Sequence, residues 1–385
     1  MAARMSSGGF LRRKLIFPVV AAAGLVALAA PVASAARVTS AATGSTASCS
    51  DGTLLSPVSS QRLAAGATAY TYRLPSGTTF ENIAPPSGFN AATASNTLLS
   101  ELNMPQRPAG ATAMKTWQAQ VAPYARSGIS KSETFCAKNS VAEPPATTAT
   151  TAGQHSAVAS PLAADNHTGS TIWSGYELEN GGYHRVVGHF VQPSTGTTAR
   201  SMSSWIGLNG SPDGRLIQAG TGNGTGIGGA PFWEQYCSGG SADGCNNAVI
   251  DTAAGASPGQ TVSMNVAYNG HTAYFQVAIN GTLEINTTDP IKSGVTGGVA
   301  DFITERTSGQ AIPSSSNIAW SALRTYASYS SDSYVDFGSQ DYYAYELTAN
   351  GTFYSPPCST NANILMYPAD VSSEGFNNIY CRSDS

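Results

Sequence analysis

From residue 166 onward, apolar and polar side chains alternate in short runs: YHRVVGHFVQP (183–193), SMSSWIGLNG (201–210), TVSMNVAYNG (261–270), TAYFQVAING (272–281) and GGVADFITERT (297–307). Successive side chains of an extended strand point to opposite faces, so each run predicts a β-strand with one face toward a core. RLIQAG (215–220) reads the same way. Gly, Asn and Pro separate the runs and predict turns. TVSMNVAY and TAYFQVAI flank Asn269-Gly270, a strong local hairpin signal. No stretch of this half sustains a helical period. The expected class is therefore all-β, an antiparallel sandwich or jelly roll. The tail after about residue 321, rich in Tyr, Ser and Asp, gives no assignment by this reasoning.

The start of the chain follows another pattern. Arg12, Arg13 and Lys14 precede the apolar run LIFPVVAAAGLVALAA, and Ala33-Ser34-Ala35 follows it. This predicts an export signal over residues 1–35, cut after a small-residue site. The run is shorter than the roughly 20 apolar residues a spanning helix needs. The paired arginines leave a twin-arginine route open. The expected product is secreted and extracellular, with no membrane association after signal cleavage.

Residues 141–165, VAEPPATTATTAGQHSAVASPLAAD, carry no apolar period and read as a linker. Charge differs across it. Residues 36–164 hold eight Lys/Arg against five Asp/Glu, whereas 165–385 hold seven against eighteen. Residues 36–140 are thus either a prosegment that docks on the acidic domain by charge and lets go as carboxylates protonate, or a small domain that is kept. The linker is an inviting place for proteolytic cutting. The sandwich is assigned to 166–385.

Composition narrows the chemistry. Charged residues make up 11% of the chain, against about 25% in ordinary globular proteins. Such a surface has few ion pairs to lose in acid. Six cysteines in an exported chain predict disulfides, with sequential pairing the simplest connectivity. No C-x-x-C occurs and the five histidines are scattered, so neither a metal site nor any cofactor is expected. The acidic domain offers nothing for nucleic acid. A monomer is expected.

Several motifs mislead. GASPG (255–259) matches G-x-S-x-G but leads into a strand, where a nucleophile elbow needs a helix. The G-x-G-x-x-G match at Gly224–Gly229 has no helix behind it to receive a phosphate. H-E-x-x-H, Asp-Thr-Gly and Asp-Ser-Gly are absent. Five N-x-[ST] sequons, at Asn166, Asn223, Asn280, Asn286 and Asn350, read as turn chemistry.

Polar residues on strand faces remain. Alternation puts Asp301, Ile303 and Glu305 on one face of their strand, Leu216 and Gln218 on one face of theirs, Trp205 with Asn209, and Phe232 with Glu234 and Tyr236. A sheet presenting Trp, Tyr, Gln and Glu together would hold an extended polymer. Alternation within single strands does not establish that these faces converge.

In chain order, these segments resemble the glutamic peptidases, the eqolisin family. IWSGYEL (172–178) is similar to its N-W-x-G opening, GHFVQPS to its G-x-F-x-V-P, and SSWIGLNG to its S-A-W-V-G-I-D-G. LIQAG resembles I-L-Q-T-G, FWEQY resembles W-Y-E-W-Y, and ADFITE resembles A-E-W-I-V-E, over roughly residues 170–330. The resemblance implies a sandwich of two curved antiparallel sheets, concanavalin-like, acting on polypeptides. It implies Gln218 and Glu305 as the catalytic pair and Trp205, Asn209, Glu234 and Tyr236 as residues lining the cleft. Two positions depart from the family pattern: Asn209 stands where it has Asp, and Gln235 where it has a second Trp.

The implied chemistry suits acid. A histidine base is already protonated there, whereas a glutamate still titrates. Glu305 would take a proton from the attacking water and pass it to the leaving amine. Gln218 would give a non-titrating N–H to the oxyanion. Two other readings use the same residues: a carbohydrate-binding sandwich, and a glycoside hydrolase with Glu234 and Glu305 as its carboxylates.

Overall fold

The protein, seen in a computed structural model, is described over residues 53–139 and 166–383, apart from positions 76, 78, 103, 105, 122–134, 180, 197–199, 211–214, 225–227, 238–246, 291–294, 296, 307–310, 330–333 and 341. The signal segment 1–35 and the linker 141–165 expected from sequence lie outside these residues.

The alternating runs form two antiparallel sheets of a sandwich. Across the first, the order is Asn247–Asp251, Pro231–Cys237, Arg215–Gly224, Ser201–Gly210, Val299–Arg306, Trp173–Leu178 and Tyr342–Thr348. Across the second it is Thr282–Pro290, Thr272–Ile279, Thr261–Tyr268, Arg185–Val191 and Ile318–Tyr326. One face of each strand meets a shared core, with Ile206, Leu208, Ile217, Trp233 and Phe302 from the first sheet and Phe190, Val262, Phe275 and Val277 from the second. Burying these side chains is what alternation encodes.

The predicted hairpin forms. Tyr268 pairs with Ala273, Gly270 takes a φ of +93°, and the Asn269 side chain accepts from the backbone of His271 and Thr272. GASPG, exposed except for the buried Ala256, ends in a turn that runs into Thr261–Tyr268, with no helix after it. The sequon reading needs correction. Asn280 and Asn350 occupy turns, but Asn166, Asn223 and Asn286 lie in strands, and Asn286 is buried with its amide bonded to the carbonyl of Ile83. A sequon does not record whether its asparagine lies on a turn or a ladder.

The unassigned tail is structural. Tyr342–Thr348 pairs with Trp173–Leu178 and, in parallel, with Asn166–Ser170. Ile364–Ala369 and Asn377–Tyr380 continue from it to Ile318–Tyr326, which joins the two sheets. A disulfide, Cys358–Cys381, closes this tail and matches the last pair of the sequential pattern.

Residues 53–139 build onto the same sandwich. Ser59–Arg62, Thr68–Arg73 and Thr79–Ala84 make a meander that adds to the second sheet at Thr287 and Thr288. Phe135–Asn139 adds to the first sheet along Asn247–Asp251, with Thr53–Leu55 outside it. Two helices, Asn96–Glu101 and Ala111–Val121, lie between these strands in sequence, the first capped by the Ser95 hydroxyl accepting from Leu98 N.

Candidate active site

Directly opposed residues of an antiparallel pair share a face, so the register shows which side chains meet. One transverse rung of the first sheet runs Glu234, Gln218, Gly207, Asp301, Glu177 and Tyr343. The next runs Phe232, Gly220, Trp205, Ile303, Gly175 and Tyr345. Beyond it, Glu305 stands between Ser203 and Trp173. Gln218, Glu234, Asp301, Trp205, Phe232, Ile303 and Glu305 therefore share the side of this sheet turned away from the core.

On that side Trp173, Trp205, Leu216 and Ile303 form a buried cluster, with Phe232, Tyr236 and Tyr345 packed against it. The indoles of Trp173 and Trp205 meet edge to face at 5.4 Å. Trp205 donates its Nε1–H to Glu305 Oε2 at 2.8 Å. Trp205 is fully buried, and this N–H bond ties it to the Glu305 carboxylate.

Gln218 Nε2 donates to Glu234 Oε2 at 2.7 Å, and both residues are buried. This bond turns the nitrogen end of the Gln218 amide toward Glu234. One of the two N–H groups of Gln218 is used this way. Gln218 Oε1 has no donor among the described residues. Gly207, next on the rung, is closely packed and has no room for a side chain. A Cβ there would lie 2.9 Å from Leu216 Cδ1 and 3.0 Å from Ile217 O, closer than such contacts allow.

Gln218 and Glu305 occupy different rungs, four residues apart along the intervening Ser201–Gly210 strand. Tyr236 is half-buried against the aromatic cluster. Asn209 pairs through its backbone with Leu216 and Val299, and its side chain lies outside the described set.

Sequence reasoning missed a carboxyl pair. Asp301 and Glu177 are cross-strand partners, both buried and near enough for each to shift the other's titration, while neither Asp301 carboxyl oxygen has a donor among the described residues. Two carboxyls in contact must share a proton. Burial raises Glu177 to about 7, with Glu179 adding to it, and burial together with the charge of Glu177 holds Asp301 well above the usual range. Tyr345 bonds Glu177 from the next strand. Alternation from Trp173 through Gly175 to Glu177 was the signal available.

Among the described residues no group of His, Cys, Asp and Glu is arranged to hold a metal.

The model of the Peptidase A4 family matches residues 171–365, half of the 385-residue chain. The chain belongs to the Peptidase A4 family. These are the glutamic peptidases, so the chain is a glutamic endopeptidase and its substrates are polypeptides. The Peptidase A4 match runs past the resemblance read from sequence and takes in the tail strands Tyr342–Thr348 and the start of Ile364–Ala369. Among solved structures, a scytalido-glutamic peptidase with a transition state analog inhibitor aligns at 13% identity and a TM-score of 0.42, over 55% of this chain and 98% of that one. SCP-B, an eqolisin in complex with the tripeptide Ala-Ile-His, aligns at 13% and 0.37 over the same shares. No curated protein sequence matches.

Proposed function

We propose that this peptidase is exported and cleaves polypeptides in acid, with Glu305 as general base then acid and Gln218 as oxyanion donor. The observation that carries the reading is the paired support on one sheet face: Glu234 holds the Gln218 amide, and Trp205 holds the Glu305 carboxylate. A catalytic group that is pre-oriented has little reorganisation left to do in the transition state.

In the reaction, Glu305 takes a proton from water as the water oxygen bonds to the scissile carbonyl carbon. The charge that builds on the carbonyl oxygen is met by an N–H of Gln218. Protonated Glu305 then gives its proton to the amide nitrogen, the C–N bond breaks, and an acid and an amine leave. Export is supported by the basic and apolar leader. Among the described residues no helix is long and apolar enough to cross a membrane.

The test is cleavage of an unfolded protein across about pH 2–7, with pepstatin and a chelator present and Glu305→Gln in parallel. Acid-limited cleavage that resists both inhibitors and is lost in the variant is expected. Cleavage surviving in purified Glu305→Gln removes the general-base assignment.

A further inference from the structure

Residues 53–139 meet the sandwich as one of its own layers. Phe135–Asn139 runs a five-residue ladder along Asn247–Asp251, the strand that flanks the Glu234 strand. Without it that edge presents a row of unpaired N–H and C=O groups. Behind Glu234, Trp233 points into the core, where Phe80 meets it edge to face at 5.3 Å; Phe80 also packs on Tyr72 and Phe135.

The second sheet is covered in the same way. Asn286 N and Thr287 Oγ1 both donate to Asn82 Oδ1 at 3.0 Å, Asn286 Nδ2 donates to Ile83 O at 3.0 Å, and Gln276 Nε2 donates to Leu102 O at 2.8 Å. Gln276 and Asn286 are each 2% exposed. Their amides would lose buried partners if the segment left, a loss that is costly for each group. Leu99, Leu102, Met104, Trp117 and Val121 of the segment form one apolar cluster with Ala278 and Leu283 of the sandwich.

We propose that residues 53–139 are a permanent, noncovalently held part of the enzyme, which stays on the sandwich after the chain is cut within 141–165 and braces the sheet edge beside Glu234. The contacts named are sheet ladders, apolar packing and neutral amides, none of which loses its partner when carboxylates protonate. Cys136 is disulfide-bonded, so the test must separate a covalent link from a docked surface. The proposal goes beyond the peptidase reading and does not depend on it, because its readout is association.

The experiment inserts the recognition site of a specific protease within 141–165 of the full chain and cuts with that protease. Two fragments on a nonreducing denaturing gel, and one peak holding both in equal amounts on gel filtration in acid, are expected. Fragments that elute apart while the sandwich stays folded would overturn the proposal, as would fragments still linked on the nonreducing gel. Failure of the chain to cleave peptides would leave either outcome readable, since the cut comes from the added protease.

Discussion

Gln218 Nε2 lies 2.7 Å from Glu234 Oε2, so the Gln218 amide is held by a carboxyl group on the neighbouring strand. Replacing Glu234 by Gln keeps the size but offers both a donor and an acceptor, and the Gln218 amide is then free to turn over. A hydrogen bond to a charged group is worth about 1.5–3 kcal/mol. Glu234→Gln is expected to lower kcat by about tenfold to a hundredfold with KM little changed. An unchanged kcat would show that Glu234 does not orient Gln218.

Gln218→Ala removes the donor itself. Loss of one oxyanion donor costs about 2.7–4 kcal/mol of transition-state stabilisation. The variant is expected to fold, by circular dichroism and gel filtration, and to keep under about a hundredth of wild-type turnover. Turnover near wild type would exclude the oxyanion role.

Trp205→Phe keeps the ring against Trp173 but removes the N–H that Glu305 accepts. The expected result is a folded protein whose kcat falls and whose acid limb in the pH–rate profile moves upward, because an ionised carboxylate that loses a donor becomes easier to protonate. A profile that does not move would separate Trp205 from Glu305 function.

The strands, the hairpin and the polar face were legible because alternation has an unambiguous period and Asn269-Gly270 fits few conformations. Gln218 and Glu305 could be named from their motifs. So could Glu234 and Trp205, but not the hydrogen bonds that tie them to Gln218 and Glu305, since these arise across paired strands and are a property of pairing and not of either strand alone. The same holds for Glu177 and Asp301, which lie far apart in the chain and meet only because Trp173–Leu178 pairs with Val299–Arg306. The tail escaped assignment because Tyr342–Thr348, YYAYELT, puts Tyr on both faces of its alternating strand, so its residue types show little apolar–polar contrast.

The Glu177–Asp301 pair sets a pH dependence of stability. A carboxyl whose pKa is higher in the folded state binds its proton more tightly there, so folding is favoured where the proton is present. For Glu177 this contribution is intact below its ordinary value of 4.5 and is lost as pH rises through about 7. Melting temperature is therefore expected to fall over that interval, and Asp301→Asn, which needs no shared proton, to flatten the fall. A wild-type melting temperature that climbs from pH 4.5 to 7 would contradict the shared proton.

The same sign applies where residues 53–139 join the sandwich. Asp251, opposite Phe135, is raised to about 6 by burial, against the lowering effect of the Ala253 and Ala254 N–H groups. Glu284 is raised to about 7 by burial and by the charge of Asp251. Both lie in strands that this segment extends, and both favour the folded assembly while protonated. The cut two-part molecule is thus expected to be firmest in acid and to loosen as pH rises from about 4 toward 7, the reverse of a prosegment that acid releases. Gel filtration of the cut protein at the two ends of that range decides it: more free segment in acid than at neutral pH would show that carboxylate attraction, and not the ladders and amides, holds the parts together.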